Sequence, residues 1–581
     1  MRRKELARRG AWFESQGMRF VCLFAVFCMG VIAAEEPEGL APFKVDSVID
    51  ASIANLKPPR WYPEVVSWKP AIMASSEQVQ KHVRQGLALI HAGWDFEAYR
   101  HFVEAVKEDP NCLMAYWGIS LALANPNSEI TEERFAAIER MLDLVKNGAG
   151  NQVERGQAEA LAYLFSEQPE RAPEVFDAIA YEFPNNLQVA LMAAFMKRDG
   201  YDSLLGAGPG QKQALREVRD IFAKNPDSQM ALSFWIALHA EHPDGLAVLR
   251  KEVLPRVRNL VKFAPDFPPY RELLGHFEWR SGNLLLAKGE FEKAIELYQV
   301  YLKEEGLGYE DCQSLIRAQI YLATVHKSLG DMEGALAIAR ELQTLDLNEE
   351  RLTSPGTTLL LWEGKTLGAR LFLARGNKGD FEAGLKELPR QAVGEAIALK
   401  TPAVMAWECW RQALSARDAI EKKKYKEVPG YLDGLVASDN LLESAGKVVR
   451  AGSGRQEWVR TRQALKVEWM LGKAVYTGQG ADAAERGRAS FWIQSAVDER
   501  EPAKGISPPI FLSSPWEYYA RFYAQEGQQE NAQEAYTALM KECLNDVQVL
   551  EDYAGWLESQ KNQEKAKSIR DHIKVVTGEK G

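Results

Sequence analysis

The residues whose types and spacing could do chemistry are, first, three histidines. His239 and His242, in LHAEHP, stand three apart and share one face of a helix, a spacing that can hold a metal. His276, in LLGHFEWR, falls in a later helical stretch, and Glu241 or Glu272 would supply a carboxylate. A metal-dependent enzyme built on His239, His242 and His276 is therefore one expectation. Against it, metalloprotease helices space their histidines four apart with a glutamate between, and Pro243 after His242 suits a helix end whose rings cap or pack. The run Gly206-Ala-Gly208-Pro-Gly210-Gln-Lys212 looks like a phosphate loop only superficially. Its lysine does not follow the last glycine, no Ser or Thr comes next, and Pro209 removes a backbone donor, so it reads as a linker. No G-x-S-x-G elbow and no C-x-x-C-H haem site occur. No catalytic residue is assigned, and no cofactor is called for.

Aromatic side chains offer a second kind of chemistry, stacking against a peptide or a sugar ring. Trp407-Glu-Cys-Trp410 and the stretch Trp516 to Tyr523, with Tyr519, are the places to look, so Trp407, Trp410, Trp516, Tyr519 and Tyr523 are candidate ligand-binding residues. The competing expectation is that such large rings pack between helices.

Both sets must be positioned by helices. Strand signals are almost absent, and helical periodicity with interleaved Glu and Lys covers most of the chain from Glu77 onward. A repeat underlies it. In QGLALIHAGWDFEAYRHFVEAVKEDP, Gly86 and Ala98 let two antiparallel helices approach, Gly93 closes the first helix, Phe102 fills the groove, and Pro110 stops the second. The offsets recur near the other end at Ala520, Gly527, Ala532 and Tyr536, and again at Ala554 and Ala566, 34 residues after Ala532. Weaker copies hold Gly282, Ala294 and Tyr298, then Ala323, Gly330 and Ala335, then Gly472, Ala484 and Phe491. Second-helix fragments lie at Ala172, Phe176, Ile179 and at Ala214, Val218, Ile221.

These offsets resemble the tetratricopeptide repeat superfamily. The segments Gly86 to His91, Glu97 to Phe102 and Asp109 to Gly118 are similar to a group of exported bacterial tetratricopeptide-like proteins of unassigned activity. More loosely, the similarity extends through His239 to Pro243, Ala264-Pro265-Asp266 and Pro515 to Tyr519. The resemblance implies an all-α fold of antiparallel helix pairs stacked into a curved superhelix, an α-solenoid, and brings across no catalytic residue.

Organisation follows from composition. Phe20 to Ala34 is an uncharged apolar run, too short to span a bilayer as a helix and ending in small residues, so residues 1–34 read as a leader and signal peptide cleaved near Ala34. Initiation at Met1 or at Met18 gives the same mature chain. Cys22 follows Val21 and Cys28 follows Phe27, which disfavours a lipid anchor. Residues 35–75 are a proline-rich extended arm expected to lay Trp61, Tyr62 and Trp68 on the first helices. Helical arrays over 76–346 and 357–581 complete the expected division, with loops at Leu204 to Gly210, Asn348 to Gly356 and Pro502 to Pro515.

The formal net charge is −10, and −14 once residues 1–34, with their six Lys/Arg and two Asp/Glu, are removed. That balance argues against nucleic acid and anionic membrane surfaces as partners. The remaining cysteines, Cys112, Cys312, Cys409 and Cys543, are too dispersed for a disulfide framework or zinc pairs and read as buried apolar residues. The expectation is an exported protein, periplasmic or secreted and without stable membrane insertion. It would be a scaffold that binds a protein or peptide partner on its concave face, with carbohydrate binding and the histidine metal enzyme as alternatives.

Overall fold

The computed structural model describes residues 43–124, 130–202, 206–239, 246–389, 402–446, 454–479, 483–500 and 507–579. The signal peptide expected over 1–34 and the candidate metal ligand His242 lie outside these residues.

The first repeat forms as its spacing dictates. Helices Glu77–His91 and Asp95–Glu108 are joined at Gly93, whose φ of +80° suits a residue without Cβ. Phe102 is fully buried and fills the space between helices. A Cβ on Gly86 would come within 2.6 Å of its ring, and one on Gly118, in the next helix Leu113–Ala122, within 2.2 Å. One aromatic thus joins two consecutive repeats, and two glycines make the room for it. The same device recurs where Phe291 approaches Gly275. Gly282, Gly330 and Gly527 close their first helices at φ of +77°, +81° and +71°.

The chain divides into two compact units, residues up to 270 with 301–307, and residues 271–300 with 308–581. The division does not fall in the 347–356 loop, because helix Gln313–Ser328 packs on Pro355–Leu359, and Met332–Thr344 on Leu367–Arg375, across that loop. In the first unit, the opening helices of successive pairs lie side by side: Leu113–Ala122 touches both Glu77–His91 and Gln152–Leu164. Helix Gln229–His239 returns against Glu77–His91, where the rings of Phe234 and His91 meet at 5.3 Å. Strand pairing among the described residues is confined to Tyr201–Asp202 with Gly206–Ala207.

In the second unit, helix Ala403–Glu421 packs on Val428–Ala445 and on Arg455–Gly478. Two buried ion pairs lie in this unit: Arg417 donates to Glu468 at 2.9 and 2.7 Å, and Lys327 to Asp546 at 2.9 Å. A π-bulge over Leu360–Gly364 loosens the Glu363 carbonyl, and buried Arg370 takes it at 2.6 Å. No helix among the described residues is long and apolar enough to cross a membrane. The fold is all-α and made of tetratricopeptide-type helix pairs.

Candidate functional site

The N-terminal arm lies along the first unit as a mostly extended chain, broken by single turns at Val45–Val48, Ala51–Ala54 and Pro63–Val65. An extended chain offers main-chain groups that no helix or sheet satisfies, and burying them unpaired is costly. The helices supply the partners.

Tyr99 takes the Asp50 N–H and donates to the Val48 carbonyl, both at 2.9 Å. Arg100 donates to the Lys57 carbonyl at 3.0 Å, and His101 Nε2 lies 3.1 Å from the Arg60 carbonyl. Gln85 accepts the Tyr62 N–H at 3.1 Å, and Gln229 donates to the Glu64 carbonyl at 2.7 Å. Arg84 grips the Pro70 carbonyl through two nitrogens at 3.1 and 3.0 Å. Carboxylates finish the track, Glu154 accepting the Met73 N–H at 2.8 Å and Asp109 the Ser75 N–H at 2.7 Å. The helices therefore hold an extended peptide largely by its backbone, in a manner indifferent to its side chains.

Side chains add register. Tyr62 is buried between Trp94 and Phe267, with ring centroids 5.4 Å from each. Trp61 lies over His82 and His101 at 4.6 and 4.9 Å but stays 41% exposed. Trp68 is half-buried.

The electrostatics beneath the track are built for a fixed charge. Arg100 donates to Glu97 at 2.8 Å and to Glu305 at 2.9 Å, and Tyr301 donates to Glu97 at 2.6 Å. Burial is the largest influence on Arg100 and opposes its charge, but Glu97, Tyr301 and Glu305 together outweigh it and hold the guanidinium above its ordinary pKa. A permanent cation thus stands under the Lys57 carbonyl.

The residues singled out by sequence fall elsewhere. Trp407 and Trp410 are 4% and 1% exposed, inside the core formed with Leu361, Leu414 and Leu465, and the Trp407 indole donates to the Leu361 carbonyl at 2.8 Å. Neither ring presents a face to a ligand. Trp516, Tyr519 and Tyr523 are half-buried and meet edge-on, Trp516 to Tyr519 at 5.8 Å and Tyr519 to Tyr523 at 4.7 Å.

His239 stacks on Trp235 at 3.7 Å with its Nδ1 2.8 Å from the Trp235 carbonyl. His276, in the second unit, is buried with its Nδ1 2.8 Å from the Tyr321 hydroxyl, and burial holds it well below the ordinary histidine pKa. Among the described residues no group of three or more His, Cys, Asp or Glu is placed to hold a metal. Cys112, Cys312 and Cys409 are buried, and burial pushes each thiol up to about 12. The glycine run ends in helix Pro209–Lys224, whose first N–H groups are taken by Asp199: Gly210 and Gln211 donate to its two oxygens at 3.0 and 2.6 Å.

Sequence reasoning placed the arm on the first helices but did not name the residues that hold it. Gln229 and Tyr270 reach the track only because helix Gln229–His239 returns to the first pair.

No family model matches the chain, and no curated protein matches it. Among solved structures it is similar to the human IFIT1 dimer with m7Gppp-AAAA, at 12% identity over 88% of this chain and 98% of that one, with a TM-score of 0.33. Yeast Tom70 is similar at 11% identity over 86% of this chain and 96% of that one, TM-score 0.19. The TPR domain of P58(IPK) is similar at 14% identity over 72% and 99%, TM-score 0.16. Likenesses this distant carry no argument about activity. The helix pairs themselves, with their Gly, Ala and aromatic positions filled as described, make this a tetratricopeptide-like helical-repeat protein.

Proposed function

We propose that the chain is an exported scaffold that binds a protein or peptide partner in extended form on the face made by the first helices of its pairs. The observation that carries this reading is the arm. Side chains on those helices already hold an extended segment by its main chain, through Gln85, Gln229, Arg84 and Glu154. A surface able to bind its own extended chain this way has the chemistry to bind another. Export is proposed from the apolar run Phe20 to Ala34.

The test is photo-crosslinking in the native cell, with a photoreactive residue in place of the exposed Gln152 in the full chain. Discrete crosslinked proteins, identified by mass spectrometry and lost when the photoreactive residue is moved to Lys567, support the reading. Crosslinks identical at both positions, or none, overturn it. Fractionation that leaves the chain in the cytoplasm overturns export.

Carbohydrate binding is the second reading, supported by the half-buried rings of Trp516, Tyr519 and Tyr523. Tryptophan emission that no member of a glycan panel alters removes it.

A further inference from the structure

Beside the arm lies a cavity of about 330 Å³, at the lower end of the range for ligand pockets. Its apolar lining includes Trp68 and Ile72 of the arm, with Met114 and Phe183 from the helices, and two glutamines face the same space, Gln157 and Gln188. Gln188 is 1% exposed, and neither its Oε1 nor its Nε2 has a partner. Gln157 is 3% exposed, and its Oε1 has none. A buried amide with two free ends is a costly thing to keep at the edge of an apolar cavity.

The neighbouring track explains what such an amide does. Gln85 lies in Glu77–His91, Gln157 in Gln152–Leu164, Gln188 in Leu187–Met196 and Gln229 in Gln229–His239, each the first helix of its pair. Two of these four, Gln85 and Gln229, bond the main chain of the arm, one as acceptor and one as donor. The other two open onto the cavity.

We propose that Gln188, assisted by Gln157, clamps the main chain of an extended peptide from the partner. Gln188 Nε2 donates to a peptide carbonyl and its Oε1 accepts a peptide N–H, while one apolar side chain of the peptide enters the cavity between Trp68, Ile72, Met114 and Phe183. The occupant is neutral at this point. The carboxylate on the cavity wall, Glu154, is already engaged by the N–H groups of Met73 and Asn151 at 2.8 and 2.9 Å. This assignment rests on the scaffold reading above and gives it a site.

The experiment uses the full chain and two small probes, N-acetyl-leucine methylamide and its methyl ester, which lacks one N–H. Binding is followed by ligand-observed NMR, and folding by circular dichroism. The expected result is about tenfold tighter binding of the amide, one hydrogen bond to a buried partner. Gln188→Leu keeps the fold and lowers the amide to the ester's affinity; Gln533→Leu, in a helix of the second unit, changes neither. Equal binding of the two probes by the unmodified chain, an undiminished preference in Gln188→Leu, or no binding of either overturns the clamp, the last meaning that water alone satisfies the two amides. Partner crosslinking by the unmodified chain, when that same chain shows no amide preference, sinks the clamp and leaves the scaffold reading standing. Crosslinking absent from the unmodified chain fails that reading instead.

Discussion

His82 and His101 face each other through their Nδ1 atoms at 3.1 Å. The bond fixes both tautomers. His101 Nε2 carries its proton toward the Arg60 carbonyl at 3.1 Å, so its Nδ1 is a lone pair and His82 Nδ1–H donates to it. His101 must be neutral, since a proton added to it would set two N–H groups against each other. Burial, then His82, then Arg100 hold His101 down to about 3, and burial lowers His82 against the pull of Glu104 and Glu108.

Acid should therefore weaken the first unit. A histidine whose folded pKa is depressed contributes stability that is complete above the unfolded value near 6.5 and is lost as pH falls toward 3, because the unfolded chain binds the extra proton. At pH 5, His101 should cost about 2 kcal/mol relative to pH 7. Urea unfolding at the two pH values checks this, and His101→Gln, whose amide keeps a donor and an acceptor, should flatten the pH slope.

Gln85→Leu removes the acceptor for the buried Tyr62 N–H. An orphaned buried donor costs about 1–3 kcal/mol, and the cost should fall on the arm more than on the helices. The expected result is faster proteolytic clipping between residues 55 and 75 and faster exchange of the Tyr62 amide, with helicity unchanged. Protection equal to that of the unmodified chain would show that the bond contributes nothing.

Gly86→Ala drives a methyl into the Phe102 ring, which has no room to retreat because Gly118 lies against it. Overpacking of this kind costs about 1–3 kcal/mol. Adding Phe102→Leu should recover part of the loss, and a lower denaturation midpoint for the single variant than for the double one is the readout.

In the second unit, Arg417→Met leaves the Glu468 carboxylate buried without its cation. Breaking a buried pair from one side costs about 3–5 kcal/mol, whereas Arg417→Met with Glu468→Leu should cost much less. Melting temperatures of the three variants measure the difference.

What the sequence discloses depends on range. The Gly86, Gly93 and Phe102 packing is legible because each part lies within one repeat, where spacing alone sets which faces meet. The Trp407 and Trp410 candidates fail as surfaces because helix Ala403–Glu421 is covered on several sides, and two aromatics three apart look the same on a helix covered once or twice. Gln188 is invisible for the opposite reason. A lone glutamine in the apolar run LQVALMAAFM reads as a surface residue, and only the fold reveals it 1% exposed against a cavity. His242 lies outside the described residues, while His239 and His276 each have their own bonding partners, which the sequence could not supply.

The bond between Glu64 and Gln229 spans 165 residues of chain. The arm is synthesised before any surface that holds it: Tyr99, Arg100 and Gln85 can take it once the first helix pair has formed, but its 64–67 stretch waits for helix Gln229–His239. That stretch is the part of the arm a competitor meets unpaired for longest. A partner that arrives during that wait would find the berth still open.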